Sequence, residues 1–381
     1  MALLNLPPEI LHAITALLEP LEAVALLCTS QRCRSIFDPI VYWHDGISEK
    51  PAALLWAADQ GEVNTAKKAL AALSEKGGSR SRLIARALYQ ASLQGHGMIV
   101  QLLLDKHADV NAQNEEDGTA LRAASAKGHE EIVQLLLDRH ADINMQSGHP
   151  GWTETALQVA SAKGHEKVVQ LLLNRNADVG VQDKDRGPAL QLASYHGHEK
   201  IVQLLLDKNA DVNAKARFGR TALQSASGRG HEKVVKLLLD NNADVDAPGG
   251  GYGTALQAAS LRRHEKVVKL LLAKNADVNI QGGFFASALH AASLRGDEKI
   301  VQLLLDHNAD VTIRHFRYRT ALETASLRGH DKVARLLLEN DTDTDTSARA
   351  KRVQSALNAA LCRRHERVVQ LLLDWSAEIP G

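Results

Sequence analysis

The sequence predicts an all-α repeat solenoid, made of helix-turn-helix units with β-hairpin loops, behind a small N-terminal domain of three helices. Three observations carry this. The pair Ala-Leu recurs in phase ten times, from Ala53-Leu54 to Ala356-Leu357; six of the nine steps are 33 residues and the others are 34, 35 and 36. Aromatics make up only 4% of the chain while Ala and Leu abound, a composition that suits stacked helices better than one large core. Finally, residues 1–46 match none of the repeated units.

One unit, Thr221 to Gly253, reads TALQSASGRGHEKVVKLLLDNNADVDAPGGGYG. Thr221 is a natural N-cap, offering its hydroxyl oxygen to an orphan amide. ALQSAS makes a short first helix, which Gly230 ends by entering the left-handed region. HEKVVKLLLD makes the second helix, with Glu232 at the positive end of its dipole. Val234, Val235, Leu237, Leu238 and Leu239 form a wide apolar face. Asn242 closes the helix in a left-handed cap. The glycine-rich tail reads as an extended turn. Neither helix buries its face alone, so stability is roughly a sum over stacked neighbours.

On these residues the chain from 52 to 381 resembles an ankyrin-repeat array of about ten units, with atypical first and last repeats as caps. The family's T-P-L-H-x-A appears as T-A-L-Q-x-A, and its GH…VV…LLL…ADVN is kept nearly intact, as in Gly128-His129 through Asn144. Three departures stand out. Ala replaces the first-turn Pro, which keeps a good helix former. Asn or His replaces the Gly before Ala-Asp, at His107, His140, Asn176, Asn209, Asn242, Asn275 and Asn308. Arg263 and Arg364 occupy the inter-helix glycine slot, where left-handed backbone costs each about 1 kcal/mol. The polar text NDTDTDTSARAKR, with Thr344 in the usual Val slot, reads as the loosest joint.

Several function classes are disfavoured. Lys+Arg and Asp+Glu are both 45, so there is no bulk field for nucleic acid or an acidic membrane. No apolar run approaches the ~20 residues of a membrane span. The three cysteines, Cys28, Cys33 and Cys362, form no disulfide framework, which suits a reducing cytoplasmic or nuclear compartment. Eight histidines share one slot: His96, His129, His165, His198, His231, His264, His330 and His365. A metal or acid/base series is one reading. A repeated turn residue is the simpler one, since Asp297 fills the slot once and stacked helices lie ~8–10 Å apart, too far to share a zinc ion. No nucleophile elbow, zinc-protease, phosphate-loop or kinase motif occurs, and Gly249-Gly250-Gly251 reads as a turn. Neither catalysis nor a cofactor is expected.

What the array offers instead is a surface. The hairpin tips hold Trp152, Phe218, Tyr252, Phe284, Phe285, Phe316 and Tyr318, rings suited either to anchoring a partner or to packing on the next hairpin. Early tips are acidic, with Glu115, Glu116 and Asp117. Late ones are basic, with Arg217, Arg220, Arg314, Arg317, Arg319, Arg349, Lys351 and Arg352. A second basic row lies two residues before the histidine slot: Lys127, Lys163, Arg229, Arg262, Arg295, Arg328 and Arg363. It faces either an acidic partner or helix-start glutamates such as Glu265. The hairpins carry no nucleic-acid recognition motif, so a protein target is expected.

The head is distinct. LPPEILHAITALLEP places Ile10, Leu11, Ile14, Leu17 and Leu18 on one helical side, with Pro8 at the start and Pro20 at the stop. LEAVALLCTS, QRCRSIFDP and Val41-Tyr42-Trp43 follow. Such a unit is too small for much core and needs a neighbour or a partner. The run Leu6-Pro7-x-Glu9-Ile10-Leu11, then Ile14, Leu17, Leu26-Leu27-Cys28, Arg34 and Trp43, resembles an F-box over residues 1–46, with 47–51 as linker; polar Gln31-Arg32-Cys33 departs from the pattern. The whole then resembles F-box/ankyrin proteins of the fungal type. That resemblance implies docking through Leu6, Pro7, Ile10, Leu11, Ile14, Leu17 and Trp43 on the Skp-type linker of a cullin-RING ubiquitin ligase. The array would hold the target, and the chain would be monomeric apart from its partners. The alternative is a plain ankyrin scaffold or inhibitor whose N-terminal helices cap the solenoid.

Overall fold

The computed structural model describes residues 52–73, 78–113, 118–146, 153–182, 187–314 and 320–378. The F-box-like head, its linker, and the tip residues Trp152, Phe316 and Tyr318 lie outside this set, as do Glu115, Glu116, Asp117, Arg317 and Arg319. The described residues form helices in consecutive pairs, and the chain divides into two compact units at Asp178/Val179. The first holds α1 (Ala52–Gln60), α2 (Val63–Ala72), α3 (Gly78–Gln94), α4 (Gly97–Asp105), α5 (Ala120–Lys127), α6 (Glu130–Asp138), α7 (Ala156–Lys163) and α8 (Glu166–Asn174). The second holds α9 (Ala189–His196), α10 (Glu199–Asp207), α11 (Ala222–Arg229), α12 (Glu232–Asp240), α13 (Ala255–Arg262), α14 (Glu265–Ala273), α15 (Ala288–Arg295), α16 (Glu298–Asp306), α17 (Ala321–Arg328), α18 (Asp331–Glu339), α19 (Thr346–Arg363) and α20 (Glu366–Glu378).

Each pair is built as the chain chemistry dictates. Thr155, Thr221 and Thr254 cap their helices in full capping boxes, with Gln158, Gln224 and Gln257 returning a bond to the cap backbone. The glutamine amide then reaches the loop that ends its own unit: Gln224 Nε2 donates to Ala247 O at 2.6 Å and Gly253 O at 2.9 Å. The expected left-handed closures are present at His107, His140, Asn176, Asn209, Asn242, Asn275 and Asn308, with φ between 59° and 64°. Arg263 and Arg364 are left-handed too, at 64° and 57°. The second-helix face is the core: Val235, Leu238, Val268, Leu271, Val301 and Leu304 are all fully buried.

The histidine slot is structural. Gly61, Gly95, Gly128, Gly197, Gly230, Gly296 and Gly329 each lie under the imidazole of the next repeat, and a Cβ on Gly230 would stand 2.6 Å from His264 Nδ1. The far nitrogen bonds a carbonyl in the last turn of the preceding first helix, as in His129 to Leu93 O at 3.1 Å and His231 to Tyr195 O at 3.0 Å. Those carbonyls are among the orphans of a helix end. Burial holds His231, His264 and His330 below the usual imidazole range, and the neighbouring arginines Arg229, Arg262 and Arg328 push each further down.

The same relation explains Arg263. Arg263 fills a glycine slot, and the next repeat carries Asp297 where a histidine would clash; Arg263 Nε donates to Asp297 Oδ2 at 3.0 Å. Asp297 also caps α16 through the Ile300 amide, which no histidine in this slot does among the described helices.

ADVN is a second inter-repeat device. Asp211 Oδ1 accepts the Asn213 amide, and Asn213 Oδ1 accepts the Asp244 amide of the next repeat at 2.8 Å. Asn279 repeats this to Asp310.

Two expectations are corrected. The hairpin loops form no strand among the described residues, although Gly249 and Gly253 make an antiparallel bridge. The loops bond to one another instead: Gly250 N donates to Phe218 O at 2.6 Å and Phe284 N to Gly251 O at 2.8 Å. That close approach, with a Cβ on Gly249 falling 2.0 Å from Gly219 O, is why three glycines stand together. The joint read as loosest is pinned. Arg352 is buried; its Nε and Nη2 donate to Asp341, at 3.2 Å and 2.9 Å, and its Nη1 to Asp343 at 2.9 Å. Asp345 caps α19 through the Ser347 and Ala348 amides. Arg349, Lys351 and Arg352 therefore lie on α19 rather than at a hairpin tip, because the Asp-rich text starts the helix early.

Candidate functional site

The second unit carries a one-sided distribution of charge. Arg229, Arg262, Arg295 and Arg328 each end a first helix, where a cation suits the dipole. All four side chains are exposed. The first helices α9, α11, α13, α15, α17 and α19 contain a single carboxylate, Glu323, which is 6% exposed. The alternative partners for this row, the helix-start glutamates, are taken by lysines of the next second helix. Lys233 meets Glu199 at 3.2 Å, Lys266 meets Glu232 at 3.3 Å, Lys299 meets Glu265 at 3.8 Å and Lys332 meets Glu298 at 3.3 Å. These helix-start glutamates are thus neutralised, while Arg295 and Arg328 make no ion pair among the described residues.

At one end of this row lies a cleft of about 280 Å³, lined by Tyr195, Arg220, Arg229, Tyr252 and Arg262 together with Gln224, Ser225 and loop glycines. The Arg229 guanidinium lies 4.1 Å above the Tyr195 ring. Arg262 donates to the Tyr252 hydroxyl at 2.9 Å and lies 5.6 Å from its ring centre. Tyr195 was not among the rings singled out in the sequence, since it sits on α9 and not at a tip. Its only signal was an aromatic in a slot filled elsewhere by Gly228, Leu261, Leu294 and Leu327.

The tip rings divide. Phe218 is 76% exposed and Phe284 66% exposed, while Tyr252 and Phe285 are half-buried. Phe284 does both expected things: its ring lies on Gly251, whose Cβ would stand 2.2 Å from it, and its other face meets solvent. Arg220 lies in the cleft rather than at a free tip. Among the described residues no group of three or more His, Cys, Asp or Glu can hold a metal ion, and no helix is long and apolar enough to cross a membrane.

Stacked helix pairs with a charged, ring-bearing face define a repeat-built interaction protein. Comparison with known proteins agrees. The ankyrin-repeat family model matches residues 54–147, 121–216, 190–282 and 289–380, and the F-box domain model matches residues 3–45. The chain belongs to the ankyrin-repeat family and pairs its repeats with an F-box domain; both are non-catalytic interaction modules. No curated protein matches it. Among solved structures it is similar to the human ASB11 ankyrin repeat domain, at 25% identity and a TM-score of 0.52, over 58% of this chain and 98% of that one.

Proposed function

We propose that this protein is the substrate-recognition subunit of a cullin-RING ubiquitin ligase. The head docks on a Skp-type linker through Leu6, Pro7, Ile10, Leu11, Ile14, Leu17 and Trp43. The array holds a protein target, and ubiquitin transfer takes place on other subunits. What supports this best is the joining of an F-box match at 3–45 to a repeat array in one chain. The protein's own contribution is proximity, which converts an encounter between enzyme and target into an effectively intramolecular one. The free thiol of Cys362 suits the cytoplasm or nucleus. Target contacts fall on the arginine row Arg262, Arg295 and Arg328 and on the tip rings Trp152, Phe218, Tyr252, Phe284, Phe285, Phe316 and Tyr318.

The test is co-purification of the full chain with a Skp-type linker. Wild-type protein is expected to bring the linker down, and Ile10→Asp with Leu11→Asp to lose it. A double variant that still captures the linker, or a wild type that never does, refutes the proposal and leaves a plain ankyrin scaffold.

A further inference from the structure

We infer that the first-helix face of the second unit binds an extended, polyproline II-like protein segment with an acidic side chain at every third residue, one of them seated in the Tyr195–Tyr252 cleft. The inference rests on the array being the target-holding part and gives that target a chemistry.

Charge comes first. Arg229, Arg262, Arg295 and Arg328 recur at a spacing of 33 residues on successive first helices. No exposed carboxylate on those helices offsets them. The helix-start glutamates Glu199, Glu232, Glu265 and Glu298 are already committed to lysines. An uncompensated row of one sign selects partners of the other sign and steers their approach.

Spacing then selects the shape of the partner. Packed helices lie about 8–10 Å apart, so the guanidiniums step along the face at roughly that interval. A polyproline II segment has three residues per turn and rises about 3.1 Å per residue, so residues i, i+3 and i+6 share one side at about 9.3 Å intervals. A β-strand does not match: same-side residues fall about 6.7 or 13 Å apart. An α-helix meets the step only at every sixth or seventh residue, and its body is about 10–12 Å across.

The cleft supplies the anchor. Its 280 Å³ admits one side chain and is smaller than the about 300–1,000 Å³ of a usual small-molecule site. Three guanidiniums line it with no acid among the lining residues. Tyr195 and Tyr252 hold Arg229 and Arg262 in place, so less side-chain freedom is lost when a carboxylate enters.

Fluorescence anisotropy on the full-length protein tests this with three labelled peptides of equal net charge. One carries Glu at every third residue between prolines, one has the same composition with its glutamates grouped, and one is helical with Glu at every seventh residue. The spaced peptide is expected to bind at least about tenfold more tightly than the other two and to weaken as salt is raised. Arg262→Gln with Arg295→Gln should remove at least about fivefold of that binding while circular dichroism stays unchanged. Equal affinity for spaced and grouped peptides overturns the inference. So does tighter binding of the helical peptide, or a double variant that binds as wild type does. The same preparation is tested for linker capture: protein that captures the linker and ignores every peptide refutes this inference alone, and protein that binds the spaced peptide without the linker refutes only the ligase reading.

Discussion

Exchanging the Arg263–Asp297 pair for the glycine–histidine pair of the neighbouring repeats measures the coupling between units directly. Asp297→His alone sets an imidazole against Arg263. In four stacks of this unit a Cβ at that slot lies 2.5 to 2.7 Å from the histidine Nδ1, so the ring cannot seat. The variant also loses the α16 cap, worth about 1 kcal/mol. Its half-exposed ion pair adds less than about 1 kcal/mol. The expected total is a loss of about 2–3 kcal/mol. Arg263→Gly alone sheds left-handed strain of about 1–2 kcal/mol and forfeits the ion pair, which leaves it near neutral. The double variant recreates the stack seen at Gly230–His264 and should return to within about 1 kcal/mol of wild type, a coupling of about 2 kcal/mol. Arrays need not unfold in a two-state manner, so the readout is amide exchange across α13–α16. Single effects that add to within about 0.5 kcal/mol would refute the clash.

Three further outcomes follow from the same geometry. Burial raises the Asp246 carboxyl above its ordinary value, and Asp246 takes the slot of Asn213 and Asn279. The folded state holds that proton more tightly than the unfolded one, so stability falls as pH rises through the raised value. Asp246→Asn should therefore raise the melting temperature at pH 7, with the gain vanishing in acid; an equal gain at every pH contradicts it. His231, His264 and His330 are depressed from 6.5, so their contribution is complete above about pH 6.5 and lost as pH falls toward the folded values; a melting temperature flat from pH 8 to pH 5 would be the contrary result. Breaking the buried pair with Asp341→Ala should cost about 3–5 kcal/mol, seen as faster exchange in α18–α20, whereas Asp341→Leu with Arg352→Met should recover most of it; equal losses from both would exclude a charge-burial origin.

What could be read from the chain divides by range. The period, the capping threonines, the left-handed Asn242 and the strained Arg263 and Arg364 follow from residues within one unit, because a backbone position states its own conformational demand. The stack of His264 on Gly230 and the Asn213 bond to Asp244 lie between units, and 33-residue repetition alone does not say which atoms meet. One signal was present: Arg263 and Asp297 leave the pattern together, which two independent departures would not do. The Asp341–Arg352 pair was misread because an Asp-rich run resembles a loop until its buried cation is found. The arginine row was legible by spacing, yet its isolation from the glutamates depended on where the lysines reach, and the cleft depended on Tyr195, a ring in a slot that other repeats fill with Leu or Gly.

The central claim is that one chain holds linker and target at once. The most direct measurement immobilises a Skp-type linker and asks whether it retains the labelled spaced acidic peptide. Retention is expected only when the protein is added, lost with Ile10→Asp and Leu11→Asp at one end and with Arg262→Gln and Arg295→Gln at the other. A peptide that displaces the protein from the linker, or that binds the protein only when the linker is absent, would contradict it.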